Sequence, residues 1–348
     1  MRLYDFDDIL IKPVVFSNIR SREDIEIKDE NGFLPLFTAP MDTVVCELNY
    51  HIFKENNIYY IRPRTGNCPE KNITSDWVAY SLEDFEKNFC EDDKDLTIVH
   101  RVLIDIANGH MVRLLNAVKK AKSLYGDKLI IMVGNIANPL TAFEYAKLNI
   151  DYIRLGIGAG ASCLTTVQTG VGYPMASLIK ETRDLINTIN STSKLVADGG
   201  FKKYSDIIKA YALGADYVML GSIFNKALES AGDTYIIKNN KNFEFSEKVN
   251  QYDPIIKEMF KKGQKFYKKF RGMSTKEVQR DLKLSKIRTS EGIIKFQPVE
   301  YTISDWVENF SHYLRSAMSY CDSISLDAFK RNSQIIHITN KSFERFVK

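Results

Sequence analysis

A glycine-rich segment that ends in a cysteine is the strongest candidate for chemistry in this sequence. Three alternating glycines, Gly156, Gly158 and Gly160, follow an apolar run and lead to Ser162 and Cys163. Glycine tolerates positive φ and has no side chain, so such a loop can turn tightly and present backbone groups to a ligand. A thiol at the end of this loop is placed as a nucleophile would be. The alternative is a small buried cysteine in an ordinary loop.

The composition of the chain argues against several classes of protein. Its 348 residues carry a formal charge of +4 and an ordinary apolar fraction of 44%, which predicts neither a disordered chain nor a nucleic-acid coat. The N-terminal residues lack the apolar core of a signal peptide, and no apolar run reaches the ~18 residues of a membrane-spanning helix. Five cysteines without C-x-x-C spacing indicate free thiols rather than disulfides or a zinc site. We therefore expect a cytoplasmic protein.

Short β-type runs alternate with helical runs along the first two thirds of the chain. Eight strands are predicted at 34–39, 58–61, 77–80, 102–107, 129–133, 152–155, 195–197 and 217–220. Helices are predicted at 46–55, 111–125, 140–148, 175–189 and 204–213. Several strands are almost entirely apolar, as expected when both faces of a sheet are covered. This order favours a (β/α)8 TIM barrel over an open doubly wound sheet.

Polar residues or glycines stand where five of the predicted strands end. A TIM barrel carries its chemistry at that edge. The residues concerned are Asp105, Asn135, the loop of Cys163, Asp198-Gly199-Gly200 and Gly221-Ser222. Any one of them alone would be ordinary turn chemistry, but five at matching strand ends predict a ligand site.

A long, polar and irregular excursion is predicted at 230–299, before a final helix at 304–320. Connections of this length in a compact domain usually have a function, often as a lid. Between positions 261 and 288 the excursion is strongly basic. This charge could be a solvated face, an attraction for phosphorylated ligands or a nucleic-acid surface. No nucleic-acid recognition motif accompanies it, so we expect no nucleic-acid partner.

Nine spaced segments resemble the IMP dehydrogenase/GMP reductase family over nearly the whole chain. In chain order they are 4–13 (YDFDDILIKP), 39–44 (APMDTV), 105–109 (DIANG), 134–135 (GN), 156–163 (GIGAGASC), 197–200 (ADGG), 219–222 (MLGS), 270–274 (FRGMS) and 314–316 (LRS). The resemblance implies one (β/α)8 catalytic domain over 1–348 with a mobile lid at about 230–300. It also implies no CBS regulatory domain, because only a short segment separates the second and third predicted strands.

Three features favour the reductase branch of the family. Segments 169–174 (TGVGYP) and 288–292 (RTSEG) look like the reductase versions, and the Arg-Tyr pair that the dehydrogenases use to activate water does not occur in this sequence. The resemblance implies NADPH-dependent reductive deamination of GMP to IMP and ammonia. The alternatives are an NAD-dependent dehydrogenase acting on IMP or a related purine nucleotide, and a purine-nucleotide-binding homologue without catalysis.

The resemblance also implies roles for single residues. Cys163 would form a covalent thioimidate with the purine, and Thr165 and Glu291 would supply the proton to the departing ammonia. The implied substrate-binding residues are Ser162, Asp198, Gly200, Gly221, Ser222, Gly272, Met273, Ser274, Arg288 and Ser290. The implied cofactor-binding residues are Asp105, Asn135, Arg315 and Ser316, the last two from a neighbouring subunit of a homotetramer. Backbone carbonyls of Gly158, Gly160 and Cys163 correspond to a monovalent cation (K+) site.

Two segments depart from the family pattern. The family has a His-Lys pair after the second strand, where this chain reads Ile61-Arg62-Pro63-Arg64. In the reductases that lysine lies near the reactive end of the site, and arginine is a broader group with a permanent charge. A nicotinamide contact rich in serine and glycine is replaced by Ala79-Tyr80-Ser81-Leu82. NADPH or NADH as cofactor therefore remain alternatives, as do GMP, its deoxy form or a modified guanine nucleotide as substrate.

Overall fold

A computed structural model describes residues 3–64, 76–91, 96–239, 244–283, 286–287 and 289–346. Within these ranges the strands are β1 Ile9–Lys12, β2 Leu36–Thr38, β3 Ile61–Arg62, β4 Trp77–Tyr80, β5 His100–Asp105, β6 Leu129–Ile136, β7 Tyr152–Leu155, β8 Lys194–Asp198, β9 Tyr217–Leu220, β10 Thr234–Asn239, β11 Glu244–Val249, β12 Phe266–Arg271, β13 Ile294–Pro298 and β14 Gln334–His337.

The α-helices of the same ranges lie between these strands and after them. They are α1 Tyr50–Glu55, α2 Leu82–Phe89, α3 Val112–Tyr125, α4 Pro139–Lys147, α5 Thr165–Thr169, α6 Met175–Ile186, α7 Tyr204–Leu213, α8 Ser222–Asn225, α9 Pro254–Lys261, α10 Lys276–Asp281, α11 Ile303–Tyr320, α12 Leu326–Asn332 and α13 Asn340–Glu344. Short 3-10 helices occur at Phe6–Asp8, Arg22–Asp24 and Gly126–Lys128.

Strands β2 to β9 form one parallel sheet that is nearly closed into a barrel. The strand order is β2-β9-β8-β7-β6-β5-β4-β3. A parallel bridge between Phe37 and Tyr59 brings the two edges of this sheet together. The predicted (β/α)8 architecture is confirmed, because helices alternate with these strands and cover the outside of the barrel. The second strand is shorter and later than predicted, since Tyr59 contributes only the single bridge.

Helix starts follow local sequence signals. Asn138 caps α4 through its side-chain oxygen, which accepts a hydrogen bond from the Leu140 N–H at 2.9 Å, and Pro139 occupies the first turn, where no N–H is needed. Thr302 and Asp305 form a reciprocal capping box at the start of α11, which satisfies two of the free N–H groups of that helix end.

Aromatic side chains fill the barrel interior toward the N-terminal ends of its strands. Phe37, Trp77 and Tyr217 are buried there, with Tyr59 and Tyr152 packed against them. The hydroxyl groups of Tyr59 and Tyr217 donate to one Asp29 carboxylate oxygen at 2.7 and 3.0 Å, which satisfies polar groups that would otherwise be costly to bury. The interior is therefore a packed core at this end, and space for a ligand remains at the opposite end.

The described part of the excursion at 230–299 contains a four-stranded antiparallel sheet and two helices, so the prediction of irregular structure was wrong. Its strand order is β11-β10-β12-β13. In β12 the side chains alternate between buried and half-buried, but one of the buried positions is Lys268. Lys268 donates to the carbonyls of Ser230 and Gly232 at 2.6 and 3.2 Å. A buried lysine breaks the apolar alternation that identifies a strand.

Basic residues of the excursion form ion pairs within it, and one of them also joins it to the barrel. Arg271 on β12 donates to Asp42, which follows β2, at 2.5 Å, and to Asp281 on α10 at 2.7 Å. Lys269 pairs with Glu277 at 2.6 Å. These cations are neutralised by carboxylates of the same chain, which supports a structural function for this part of the basic run.

The two ends of the chain meet in a small antiparallel sheet. Strand β1 pairs with β14, with Leu10 opposite Ile336, and α7 of the barrel packs against both. Among the helices that the structure describes, none has the length and apolar character needed to cross a membrane.

Candidate active site

A cavity of about 310 Å³ opens at the C-terminal ends of the barrel strands. Most of the residues predicted for a site lie along it. Those that line it are Asp105, Asn135, Gly158, Gly160, Ser162, Cys163, Thr165, Asp198, Gly200, Gly221, Ser222, Gly272, Met273, Ser274 and Glu291. The barrel strands and the excursion thus contribute to one enclosure.

Three predicted residues lie outside the lining of this cavity. The hydroxyl of Ser290 donates to the Gly292 carbonyl at 2.7 Å and shapes the turn that carries Glu291. Arg315 and Ser316 lie half-buried on α11, and Arg315 donates to the Ile25 carbonyl at 3.2 Å. None of these three lines the cavity. Arg288 lies outside the described residues.

The glycine-rich loop after β7 turns tightly enough to place its cysteine at the cavity. Gly158 has a φ of +75°, and a Cβ there would lie 1.7 Å from Thr166 Oγ1. Any larger residue would therefore push the start of α5 away. The Cys163 N–H donates to the Gly160 carbonyl at 2.9 Å. The half-buried Cys163 is thus held by its own loop, as a positioned thiol requires.

Three side chains in series connect the thiol to a carboxylate. The Cys163 thiol donates a hydrogen bond to Thr165 Oγ1 at 3.3 Å. The Thr165 hydroxyl in turn donates to Glu291 Oε2 at 2.6 Å. The short second contact is of the kind expected for a hydroxyl on a carboxylate. The series offers a path for a proton between Glu291 of the excursion and a ligand group that faces Cys163.

Backbone pairing fixes the segment that carries Glu291 over the cysteine loop. The Leu164 N–H donates to the Glu291 carbonyl at 2.7 Å, and the Ile293 N–H donates to the Ser162 carbonyl at 3.0 Å. A Cβ on Gly272 would lie 3.0 Å from the same Ser162 carbonyl oxygen. Glycine at this position therefore permits the close approach of the excursion to the loop.

A buried arginine that the sequence analysis did not identify joins two predicted site residues. Arg154 lies in β7, with a side chain only 8% exposed, and it contacts Asp105 at 2.7 Å and Asp198 at 2.8 Å. Asn135 donates to the same Asp198 carboxylate at 3.0 Å. These four residues come from the consecutive strands β5 to β8. They form a continuous polar floor under the cavity.

The arginines determine the charge of this floor. Burial by itself raises the pKa of Asp105, but Arg154 and Arg64 outweigh that effect and hold the pKa below its usual range. Asp105 is therefore ionised at neutral pH and accepts hydrogen bonds.

One sequence signal could have identified Arg154. It stands between Ile153 and Leu155, inside a run that was interpreted as simply apolar. A charge buried in a strand requires a partner of opposite charge, and the aspartates at the ends of β5 and β8 are the nearest candidates along the sheet.

The middle of the chain is similar to a known family. Residues 93–247 match the family described as the IMP dehydrogenase / GMP reductase domain. This part of the chain is therefore similar to that domain. The resemblance drawn from the spaced segments is thereby confirmed, and the barrel strands β5 to β9 all lie inside the matched range.

Relatives extend the similarity beyond the matched range. A GMP reductase of Phytophthora infestans is 26% identical over 98% of this chain and 92% of its own length. A GMP reductase of Caenorhabditis elegans is 26% identical over 99% and 94%. The mouse protein GMP reductase 2 is 25% identical over 97% and 94%. The similarity therefore includes the excursion and the final helix.

The two arginines that replace the His-Lys pair of the IMP dehydrogenase/GMP reductase family differ in position. Arg64 lines the cavity, and its Nε donates to Asp105 at 3.2 Å. Arg62 pairs with Asp76 at 3.0 Å and lies 5.2 Å from the centre of the Tyr50 ring. Only Arg64 is among the lining residues.

The described part of the chain contains no group of three or more His, Cys, Asp or Glu residues arranged for a metal ion. A monovalent cation would instead bind carbonyl oxygens. The Gly160 carbonyl already accepts the Cys163 N–H, which leaves one of its lone pairs for such an ion.

Proposed function

We propose that this protein is a GMP reductase, which converts GMP to IMP and ammonia with a reduced nicotinamide cofactor. The observation that carries the proposal is the series Cys163–Thr165–Glu291, whose members come from the barrel and the excursion and meet at one cavity. The GMP reductases that resemble the chain over nearly its whole length support it.

Cys163 begins the reaction by adding to the purine. Its thiolate bonds to C2 of guanine, and the electron pair of the C2–N3 double bond moves to the ring nitrogen. A thiol suits this step because it is both a good nucleophile and a good leaving group. The Gly156–Gly160 turn holds the thiol in place, so its attack on the bound purine does not require a bimolecular encounter.

Thr165 and Glu291 act when the amino group departs. The C2–N bond breaks only after its nitrogen is protonated, since a neutral amine leaves far more easily than an amide anion. When the thiolate forms, the proton of the Cys163 thiol passes through Thr165 to Glu291. Thr165 then hands a proton to the departing nitrogen and regains one from the protonated Glu291. Ammonia is released, and a thioimidate between Cys163 and the purine remains.

The nicotinamide cofactor, when bound, supplies the hydride that takes the place of the amino group at C2. The cavity fits such a cofactor because the carboxylate of Asp105 beside Arg64 offers acceptors for a carboxamide N–H. Release of the Cys163 thiolate then restores the purine as IMP. We assign the cofactor as NADPH. Asn135 donates to the neighbouring Asp198 and holds that carboxylate in place.

The remaining predicted roles belong to the same proposal. Asp198 accepts hydrogen bonds from the ribose hydroxyls, and Met273 and Ser274 lie against the purine. Ser162, Gly200, Gly221 and Ser222 bind the phosphate through hydroxyl and backbone N–H groups. Contacts of Arg288 and Ser290 with the bound purine are part of the same proposal, with Ser290 reaching it from the turn that carries Glu291.

The whole chain is proposed as one catalytic unit with further partners. The excursion serves as its lid. A potassium ion binds the carbonyls of Gly158, Gly160 and Cys163. Arg315 and Ser316 contact the cofactor of a neighbouring subunit in a homotetramer, which is consistent with their position outside the lining of the cavity of their own chain.

Loss of the proton path should slow turnover without weakening nucleotide binding. Glu291→Gln and Thr165→Val are each expected to lower kcat about 10²- to 10⁴-fold, the range for general acid–base groups. The measurement is steady-state NADPH oxidation together with equilibrium binding of GMP. Glu300→Gln is the control, because this exposed carboxylate pairs with Lys226 away from the cavity. An unchanged kcat in Glu291→Gln would remove Glu291 from the mechanism.

Arg64, and not Arg62, takes the place of the family's lysine. Arg64→Met should lower kcat/KM about 10- to 100-fold, because Asp105 loses a charged hydrogen-bond partner. Arg62→Met should leave kcat/KM within about twofold, since its pair with Asp76 lies outside the cavity. Equal losses in the two variants would contradict this assignment.

An assay that follows both cofactor oxidation and product formation tests the proposed function directly. Purified protein is mixed with NADPH and GMP, absorbance of the reduced nicotinamide is followed, and IMP and ammonia are quantified. GMP-dependent oxidation with equal amounts of IMP and ammonia is the expected result. Reduction of NAD by IMP without any reaction of GMP would instead assign the chain to the dehydrogenases.

A further inference from the structure

Lys202 is a charged residue of the cavity that the proposed function has not yet used. It follows the Gly199-Gly200 turn after β8 and lines the cavity beside Gly200. We infer that Lys202 recognises the negative charge of the substrate's 5′-phosphate and makes the site selective for nucleotides over nucleosides. This inference rests on the nucleotide site proposed above.

Among the charged residues that line the cavity, Lys202 is available to bind an anionic ligand. The described lining residues include three acids, Asp105, Asp198 and Glu291, and three bases, Arg64, Arg154 and Lys202. The two arginines are bound to Asp105 and Asp198 by salt bridges. No carboxylate of the described residues lies within salt-bridge distance of the Lys202 ammonium group.

The groups proposed to hold the phosphate carry no charge of their own. Ser162 and Ser222 offer hydroxyls, and Gly200 and Gly221 offer backbone N–H groups. A phosphate monoester carries a charge of about −1.5 to −2 at pH 7. Hydrogen bonds between ionised partners are roughly twice as strong as neutral ones. Lys202 would supply the positive charge that the neutral groups lack.

The backbone of Lys202 is fixed, whereas its side chain is exposed. Its N–H donates to Asp206 Oδ2 at 2.8 Å, and the Lys203 N–H donates to the same oxygen at 3.0 Å. The two neighbouring side chains then diverge. The Lys203 ammonium lies 5.1 Å from the centre of the Phe343 ring and outside the lining residues. Lys203 is therefore a matched control with the same charge and nearly the same chain position.

Equilibrium titration with GMP and with guanosine tests the inference, using wild-type protein, Lys202→Met, Lys203→Met and Lys202→Arg. Lys202→Met should bind GMP about tenfold more weakly and guanosine as wild type does, because only the phosphate contact is lost. Lys203→Met should bind both as wild type does. Lys202→Arg should recover most of the GMP affinity. Raising the salt concentration should weaken GMP binding more in wild type than in Lys202→Met.

Two results would overturn the inference while leaving the proposed function intact. The first is a Lys202→Met protein that binds GMP as wild type does. The second is an equal loss of GMP and guanosine affinity, which would indicate packing rather than charge. A wild-type protein that does not prefer GMP over guanosine would instead overturn the proposed nucleotide site itself, and the role of Lys202 with it.

Discussion

Replacing Cys163 with alanine is expected to lower GMP-dependent NADPH oxidation by a factor of about 10⁴ or more, as for removal of other catalytic nucleophiles. Without the thiol no covalent intermediate forms, and the amino group has no route to leave. The affinity for GMP should stay within about threefold of wild type, because the other lining residues are unchanged. Turnover is measured by absorbance, and affinity by equilibrium titration.

Cys46→Ala is the matched control for this loss. Cys46 is also half-buried, but its thiol lies 3.3 Å from the Tyr252 hydroxyl and outside the cavity. We expect it to retain wild-type turnover. Residual activity in Cys163→Ala close to that of wild type would show that the reaction does not pass through this thiol.

Arg154→Met should destabilise the protein by about 3–5 kcal/mol, the cost of removing one partner from a buried ion pair. Asp105 and Asp198 would be left at the floor of the cavity without their shared arginine. The free energy of unfolding is measured by urea titration at pH 7.5. Arg113→Met is the control, because the Arg113 side chain is 56% exposed where it pairs with Glu86, and such pairs contribute at most about 1 kcal/mol.

The pH dependence distinguishes lost charge from lost packing in Arg154→Met. In wild type the pKa of Asp105 lies below its usual range because of Arg154 and Arg64, despite burial. A depressed carboxyl pKa stabilises the folded state above the unfolded pKa of about 4, and that stability is lost as the pH falls through the folded pKa. The difference between wild type and Arg154→Met should therefore shrink below about pH 4. A constant difference down to pH 3 would indicate packing alone.

The barrel was predictable because its strands are buried on both faces. Apolar runs mark β4 and β9 without interruption and β7 with the exception of Arg154. The predicted bounds of these three strands agree with the structure to the residue. Helix α7 was likewise predicted over its full length. Helix α1 begins later than predicted, at Tyr50. The Asn49 side chain accepts the Cys46 N–H at 2.8 Å and holds the preceding residues in a turn.

Elements that depend on distant partners could not be read from local patterns. Strand β1 exists because β14 pairs with it, and Ile9 and His337 are opposite each other across almost the entire chain. The strands of the excursion escaped prediction for a related reason. Lys268 occupies a core-facing position of β12, where its charge is satisfied by carbonyls of another segment.

The site shows the same division between local and distant information. The cysteine loop is local, and its glycines and thiol are visible in eight consecutive residues. The contact between Thr165 and Glu291 spans 126 positions, and only the resemblance to a family connected them in advance. Arg154 was missed because a buried ion pair is recognised only when both of its partners are known to be close together. Arg154, Asp105 and Asp198 lie on three different strands.

Mass spectrometry of the protein, quenched in acid during turnover with GMP and NADPH, tests the central claim most directly. The account predicts a purine nucleotide that has lost its amino group, attached to the peptide containing Cys163, in wild type and with greater occupancy when the cofactor is limiting. The adduct should be absent from Cys163→Ala. Turnover of GMP to IMP with no adduct on Cys163 at any quench time, or with an adduct on another residue, would contradict the account.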